Sequence, residues 1–247
     1  MNHVLHSFQR YILIIFILMT YASQAQTRLS DTDTSRIKQK SIRNFLKSQI
    51  DSGVVNFEDF KPSVDERIDS SQFDSNIHLF RLRQAQAPLR QAQGSLQKTT
   101  ASAWNAYLTA HPAKVWQGKI VSCGFIYSPV SKRVIYPDDK FPGLETGQIF
   151  FVEMRVLFGL VKFPVCFMVT QIDENKHTIA FSYVSSGASK GAQTIRLTDD
   201  AKSGTKIIHS SIHQTENILR DKTLYPIYHR KAIKEVHQNI KNILETQ

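Results

Sequence analysis

Cysteine is scarce in this chain, with two in 247 residues, Cys123 and Cys166. Their spacing leaves two readings open: one bridge in an oxidising compartment, or two buried small hydrophobic side chains. Several motifs are missing altogether. There is no Gly-x-Ser-x-Gly elbow, no phosphate-cradling glycine loop and no His-Glu-x-x-His, so the commonest signatures of hydrolase, nucleotide and zinc-peptidase chemistry are absent. Ser95-Leu96-Gln97-Lys98 matches a Ser-x-x-Lys tetrad, but neither Ser-Asp-Asn nor Lys-Thr-Gly accompanies it. Beyond the N-terminus the chain also lacks an apolar run free of charge. The greasiest stretch, Phe151 to Ile172, carries Glu153, Arg155 and Lys162 and is broken by Gly159 and Pro164. An ionised side chain at mid-bilayer costs at least ~2.5 kcal/mol, so this stretch is no membrane helix, and no transmembrane span is expected in the mature chain.

With period two the same stretch becomes orderly. Phe150, Val152, Met154, Val156 and Phe158 share one face, and Ile149, Phe151, Glu153, Arg155 and Leu157 the other. After Gly159, residues Val161, Phe163, Val165, Phe167 and Val169 alternate with Lys162, Pro164, Cys166, Met168 and Thr170. Two antiparallel strands joined by a short glycine-containing turn are predicted, with a greasy side that needs covering.

At the N-terminus Tyr11 to Met19 follows Arg10 and precedes Thr20-Tyr21-Ala22-Ser23-Gln24-Ala25. A positive start, a short apolar run and small residues form a signal-peptide pattern over residues 1–25, predicting an exported protein, periplasmic or extracellular. No cysteine follows the run, so nothing supports a lipid-anchored N-terminus. Lysine and arginine total 31 against 21 acidic residues. For an exported chain that excess points away from nucleic acid. It suits solubility or an anionic envelope surface.

Residues 26–100 read as a polar, loosely structured extension with one amphipathic helix around Ile42, Phe45, Leu46 and Ile50, and an Arg-Gln-Ala-Gln repeat at Arg83 and Arg90. A compact domain, 101–247, begins with a helical turn or two containing Trp104 and Tyr107. Six strands follow: Val115 to Tyr127, Gln148 to Phe158, Val161 to Ile172, Thr178 to Val184, Gln193 to Leu197 and Thr205 to Thr215. Short links between them imply an antiparallel meander. A helix from Pro226 closes the chain, with Ile233, Val236, Ile240 and Ile243 on one stripe fit to cover the sheet. The fold class is therefore α+β, a curved antiparallel sheet gripping a long C-terminal helix. Such an arrangement encloses an apolar interior that can serve as a ligand pocket.

Pro164 and Cys166, the acidic turn Asp173-Glu174, Phe181 with Tyr183, Gly187 with Gly191, and the strand from Gln193 to Leu197 resemble the bacterial domain of unknown function 1990 family, within the START-like, helix-grip (SRPBCC-type) superfamily. The resemblance implies that fold and a cavity over about Ala101 to Leu244, and it supplies no catalytic residues. Where that family has a loop histidine and a Gly-Glu pair, this chain has Ala188 and Ala192-Gln193.

His209 and His213 are four apart. On a strand that is ~13 Å, too far to share an ion, so no metal site and no cofactor are expected. Both share a side with Thr205, Ile207 and Ser211, facing either solvent or the interior. Arg155, Tyr183, His209, His213 and Tyr228 are the candidate ligand-binding residues. Arg155 qualifies only if its side is the interior, since the commoner arrangement is an outer ion pair with Glu153. The expected function is enclosure of a hydrophobic or amphipathic small molecule, such as an envelope lipid. A cavity enzyme of the cyclase or hydrolase kind, and an interaction protein with a filled core, are the alternatives.

Overall fold

The structure is a computed structural model that describes residues 27–64, 74–82, 92–187, 189–200, 204–214 and 225–246. The signal-peptide pattern, the repeats at Arg83 and Arg90, and Ala188 lie outside the described residues.

Eight strands form one antiparallel sheet: β1 (Asp74–Leu82), β2 (Val121–Ser128), β3 (Arg133–Ile135), β4 (Ile149–Val156), β5 (Val161–Asp173), β6 (Thr178–Tyr183), β7 (Lys190–Asp200) and β8 (Gly204–Gln214). Their order is β1-β8-β7-β6-β5-β4-β2-β3. From β4 to β8 it is the meander the short turns require, since links of three to six residues are too short for a parallel crossover. The helices are α1 (Lys40–Asp51), α2 (Ala92–Thr109), α3 (Pro112–Val115) and α4 (Tyr225–Glu245). Curved sheet and terminal helix together make a helix-grip fold. Among the described residues no helix is long and apolar enough to cross a membrane.

Two details differ from the sequence reading. The strand expected from Val115 begins at Val121, because Pro112 opens the short helix α3 after a His111 cap. Of the two arrangements left open for the cysteines the structure has the second: the thiols of Cys123 and Cys166 are free and buried, and burial pushes the Cys123 thiol up to about 12. The second difference concerns the segment read as extension. Its residues 74–82 pair with β8 along their full length, from Asp74 opposite His213 to Leu82 opposite Thr205. The boundary drawn at Ala101 falls inside α2.

Alternation along β4 decides the layering. Phe150 and Val152 point toward α4, and Ile149 and Phe151 point the opposite way, yet all four are buried. The first pair joins a core with Phe167, Val169, Val236 and Ile240. The second joins a separate core in which residues 29–60 cover the outer face through Leu29, Ile37, Ile42, Leu46, Phe57 and Phe60. Phe125 stacks on Phe151 at 4.2 Å and Phe57 on Tyr127 at 4.5 Å. The predicted amphipathic helix is α1, although Ile50, expected on its apolar face, is exposed. Gly124 lets it approach: a Cβ there would sit 2.4 Å from Ile42 Cδ1.

The grip on α4 is polar as well as apolar. The Glu235 carboxylate accepts from the backbone N–H of Lys119 (2.6 Å), Ile120 (2.9 Å) and Val121 (3.0 Å). Asn239 donates to the carbonyls of Val115 and Gln117, each at 2.9 Å. Glu235→Ala strands three donors, and each charge-assisted bond is worth more than a neutral one. The variant is expected to lose about 2–3 kcal/mol of stability in urea unfolding, while Glu245→Ala, at an exposed helix end, stays within about 0.5 kcal/mol of the parent.

Candidate functional site

Where α4 crosses β7 and β8 the interior turns polar. Along β8 every second residue is buried, so Thr205, Ile207, His209, Ser211 and His213 line the helix side. From α4, Tyr225, His229, Ile233 and His237 recur every fourth residue on the facing stripe. His229, Ile233 and His237 are buried there. Fully buried histidines are uncommon unless hydrogen-bonded, and here four meet.

Two of them, His209 and His237, belong to one hydrogen-bond chain. Tyr107 Oη lies 2.5 Å from His237 Nδ1, His237 Nε2 lies 3.0 Å from His209 Nδ1, and His209 Nε2 lies 2.9 Å from Gln193 Oε1. Gln193 Nε2 donates to Tyr183 Oη at 2.8 Å, which lies 2.8 Å from Tyr225 Oη. With the Gln193 amide oxygen facing His209, each proton from Tyr107 to the Gln193 amide has one place to go. Tyr107 donates to His237, His237 to His209, His209 to Gln193 and Gln193 to Tyr183, whose hydroxyl in turn pairs with that of Tyr225. Both imidazoles must then be neutral and protonated on Nε2.

Burial enforces the same state. Desolvation, reinforced by His237, His229 and His78, holds His209 well below its ordinary 6.5. Desolvation brings His237 and His229 each to about 3, aided at both by His78 and at His229 by His213. Tyr183 is pushed up by burial, which outweighs its bonds to Tyr225 and Gln193.

Around Tyr225 the chain gives way to stacked rings. Tyr225 lies 4.2 Å from His213 and 5.1 Å from His229. Nearby, Ser211 Oγ and His229 Nε2 are buried and have no hydrogen-bond partner among the described residues. A buried polar atom without a partner costs about 1–3 kcal/mol, so this end is suited to a polar guest. The apolar end is nearly filled: the void beside Trp116, Phe150, Phe181 and Val236 is about 30 Å³, water-sized.

Of the sequence candidates, Tyr183, His209 and His213 lie in this interior. Arg155 lies on the outer face, with Nε 3.1 Å from Glu153 and an NH group donating to the Gly118 carbonyl. Tyr228 lies at the start of α4, where its hydroxyl accepts from the Leu157 amide at 2.9 Å. The structure therefore brings three of the five together and leaves Arg155 and Tyr228 apart. Gln193, His229 and His237 are not among the sequence candidates, and Tyr225, readable as an amphipathic residue for a cavity rim, is not in the binding set. The four-residue rhythm Tyr225, His229, Ile233, His237 is the signal that marks the two histidines. No group of three or more His, Cys, Asp or Glu among the described residues is disposed to hold a metal ion.

No family model matches the chain, and no curated protein matches it in sequence. Among solved structures it is similar to a Nitrosomonas europaea protein at 14% identity and TM-score 0.44, covering 72% of this chain and 97% of that one. A Thalictrum flavum norcoclaurine synthase point mutant with a transition-state analogue gives 11% identity and TM-score 0.45, covering 70% and 96%. A major latex-like protein of Panax ginseng gives 9% and 0.45, covering 69% and 97%.

Since His209, His229 and His237 stay neutral in the folded state but protonate near 6.5 once unfolded, the unfolded chain binds more protons below that pH. Stability is therefore complete above pH 6.5 and falls as pH drops toward 3, by about 1.4 kcal/mol per pH unit for each imidazole. Urea midpoints between pH 6.5 and 5 should show this slope. His229→Phe should reduce it by about one proton's worth.

Proposed function

We propose that the chain is an exported binding protein that receives a small amphipathic molecule between the sheet and α4. The polar end of the guest meets Ser211, His213 and His229. Its apolar part runs along the helix toward Phe181 and Val236. The observation that carries this reading is the pair of unpartnered polar atoms, Ser211 Oγ and His229 Nε2, buried beside a completed hydrogen-bond chain. The likeness of Pro164, Cys166, Phe181 and Tyr183 to the domain of unknown function 1990 pattern supports a helix-grip binding role. Export rests on the pattern over residues 1–25, and contact with an anionic envelope surface on the basic excess.

The apolar void of about 30 Å³ sets a condition on this reading. An acyl chain needs Trp116, Phe150 or the helix itself to move, so a guest with a short or flat apolar part fits with less displacement. The same void favours the second reading, an interaction protein whose interior is filled by its own side chains.

Purified protein extracted with organic solvent and analysed by mass spectrometry, together with titration of fluorescent single-chain amphiphiles, separates the two. The binding reading expects a co-purifying species or saturable uptake, weakened about five- to tenfold by Ser211→Val through loss of one hydrogen bond. Neither species nor uptake leaves the filled-core reading.

A further inference from the structure

The turn between β4 and β5 is the greasiest exposed point among the described residues. Phe158 is fully exposed at 106% and Leu160 at 85%, with Leu157 and Val161 exposed beside them. A hairpin tip facing only water is normally polar, as the β5–β6 turn Asp173-Glu174-Asn175-Lys176 is in this same sheet. Exposed apolar residues clustered in this way mark an interaction surface.

The backbone holds the tip out. Leu157 and Phe158 adopt left-handed φ values of 51° and 59°, rare for bulky side chains, and Gly159 follows at 87°. The turn is anchored by the Leu160 N–H donating to Leu157 O at 3.2 Å and by the Tyr228 hydroxyl accepting from Leu157 N. Position 159 has nothing within 4 Å of where a Cβ would lie. The tip therefore packs on nothing and is held by its base.

Basic residues collect behind it. A cleft of about 960 Å³ on the outer face runs from Leu160 and Lys162 to the start of α1, lined also by Arg36, Lys38, Lys40 and Arg155. Arg36 is paired with Asp138 and Arg155 with Glu153. Lys38, Lys40 and Lys162 have no ion-pair partner among the described residues. On the other flank, the ammonium of Lys231 lies 5.2 Å from the ring centre of Tyr228, and Ile227 is exposed next to it. An apolar point rimmed by lysines, with a tyrosine at its base, is the chemistry of the lipid–water boundary.

We propose that the β4–β5 tip docks the protein on an anionic lipid bilayer, with Phe158 and Leu160 entering the acyl boundary and Lys162, Lys40 and Lys38 meeting lipid phosphates. This holds whatever the interior encloses. Lipid rather than protein is favoured because the apolar element is a protruding point, not a flat or grooved face, and because lysines lie on both of its flanks.

The test uses the full chain carrying Phe158→Trp, mixed with phosphatidylcholine vesicles with and without phosphatidylglycerol, some brominated in the acyl chains. The expected result is a blue shift with phosphatidylglycerol and quenching of the new indole by the brominated lipid. Since the label sits at the tip, the N-terminal apolar run cannot produce this signal. Phe158→Asp should lower partitioning at least about tenfold, and Lys162→Gln about fivefold, with added salt weakening binding further. Vesicle binding without quenching at position 158 overturns the proposal, as does no response to vesicles. A blue shift that grows with protein concentration in the absence of lipid also overturns it and makes the tip a protein contact.

Discussion

The burial of both faces of β4 constrains everything else in this molecule. A strand sends alternate side chains to opposite sides, and Phe150 and Val152 are as deeply covered on one side as Ile149 and Phe151 are on the other. One layer cannot cover two faces. The terminal helix takes the inner face and residues 29–60 take the outer, so the two halves of the chain are joined through the sheet between them. The price of that design is paid at Gly124, where any side chain would collide with Ile42.

Farther along, toward β7 and β8, the inner face becomes polar and the energetics change. Four buried histidines would be a heavy burden if charged, and desolvation keeps three of them neutral far below the usual titration range. Neutral imidazoles can both give and take one hydrogen bond, which lets His237 and His209 act as links between Tyr107 and Gln193. A fully satisfied buried network is rigid and defines a single arrangement of its members. The unpartnered atoms of Ser211 and His229 at its far end mark where that rigidity leaves bonding capacity unused. A binding role is therefore sought there and not in the packed apolar end.

The strong alternation of the β4 and β5 sequences, and the Ile233, Val236, Ile240 stripe of α4, made the central meander and its gripping helix readable from sequence. The edge strand β1 was not readable. DSNIHLFRL leaves Ile77 and Leu79 exposed, so its hydrophobic pattern does not announce a buried face, and its partner β8 lies some 130 residues away. Cover of the outer face came from isolated residues such as Leu29, Ile37 and Phe57, too widely spaced to carry a period. At the site, strand alternation put His209 and His213 on a common side but could not choose between solvent and interior. Gln193 and Tyr183 become neighbours only through pairing of β6 with β7, which no local pattern encodes.

The central claim is that His209 and His237 are neutral links in a directed chain beneath the terminal helix. Nitrogen-15 NMR of the histidine rings tests it most directly. Both residues should show the neutral form protonated on Nε2, unchanged from pH 8 down to 5. If either ring titrates near 6.5 like a histidine in water, or carries its proton on Nδ1, the chain does not exist as described.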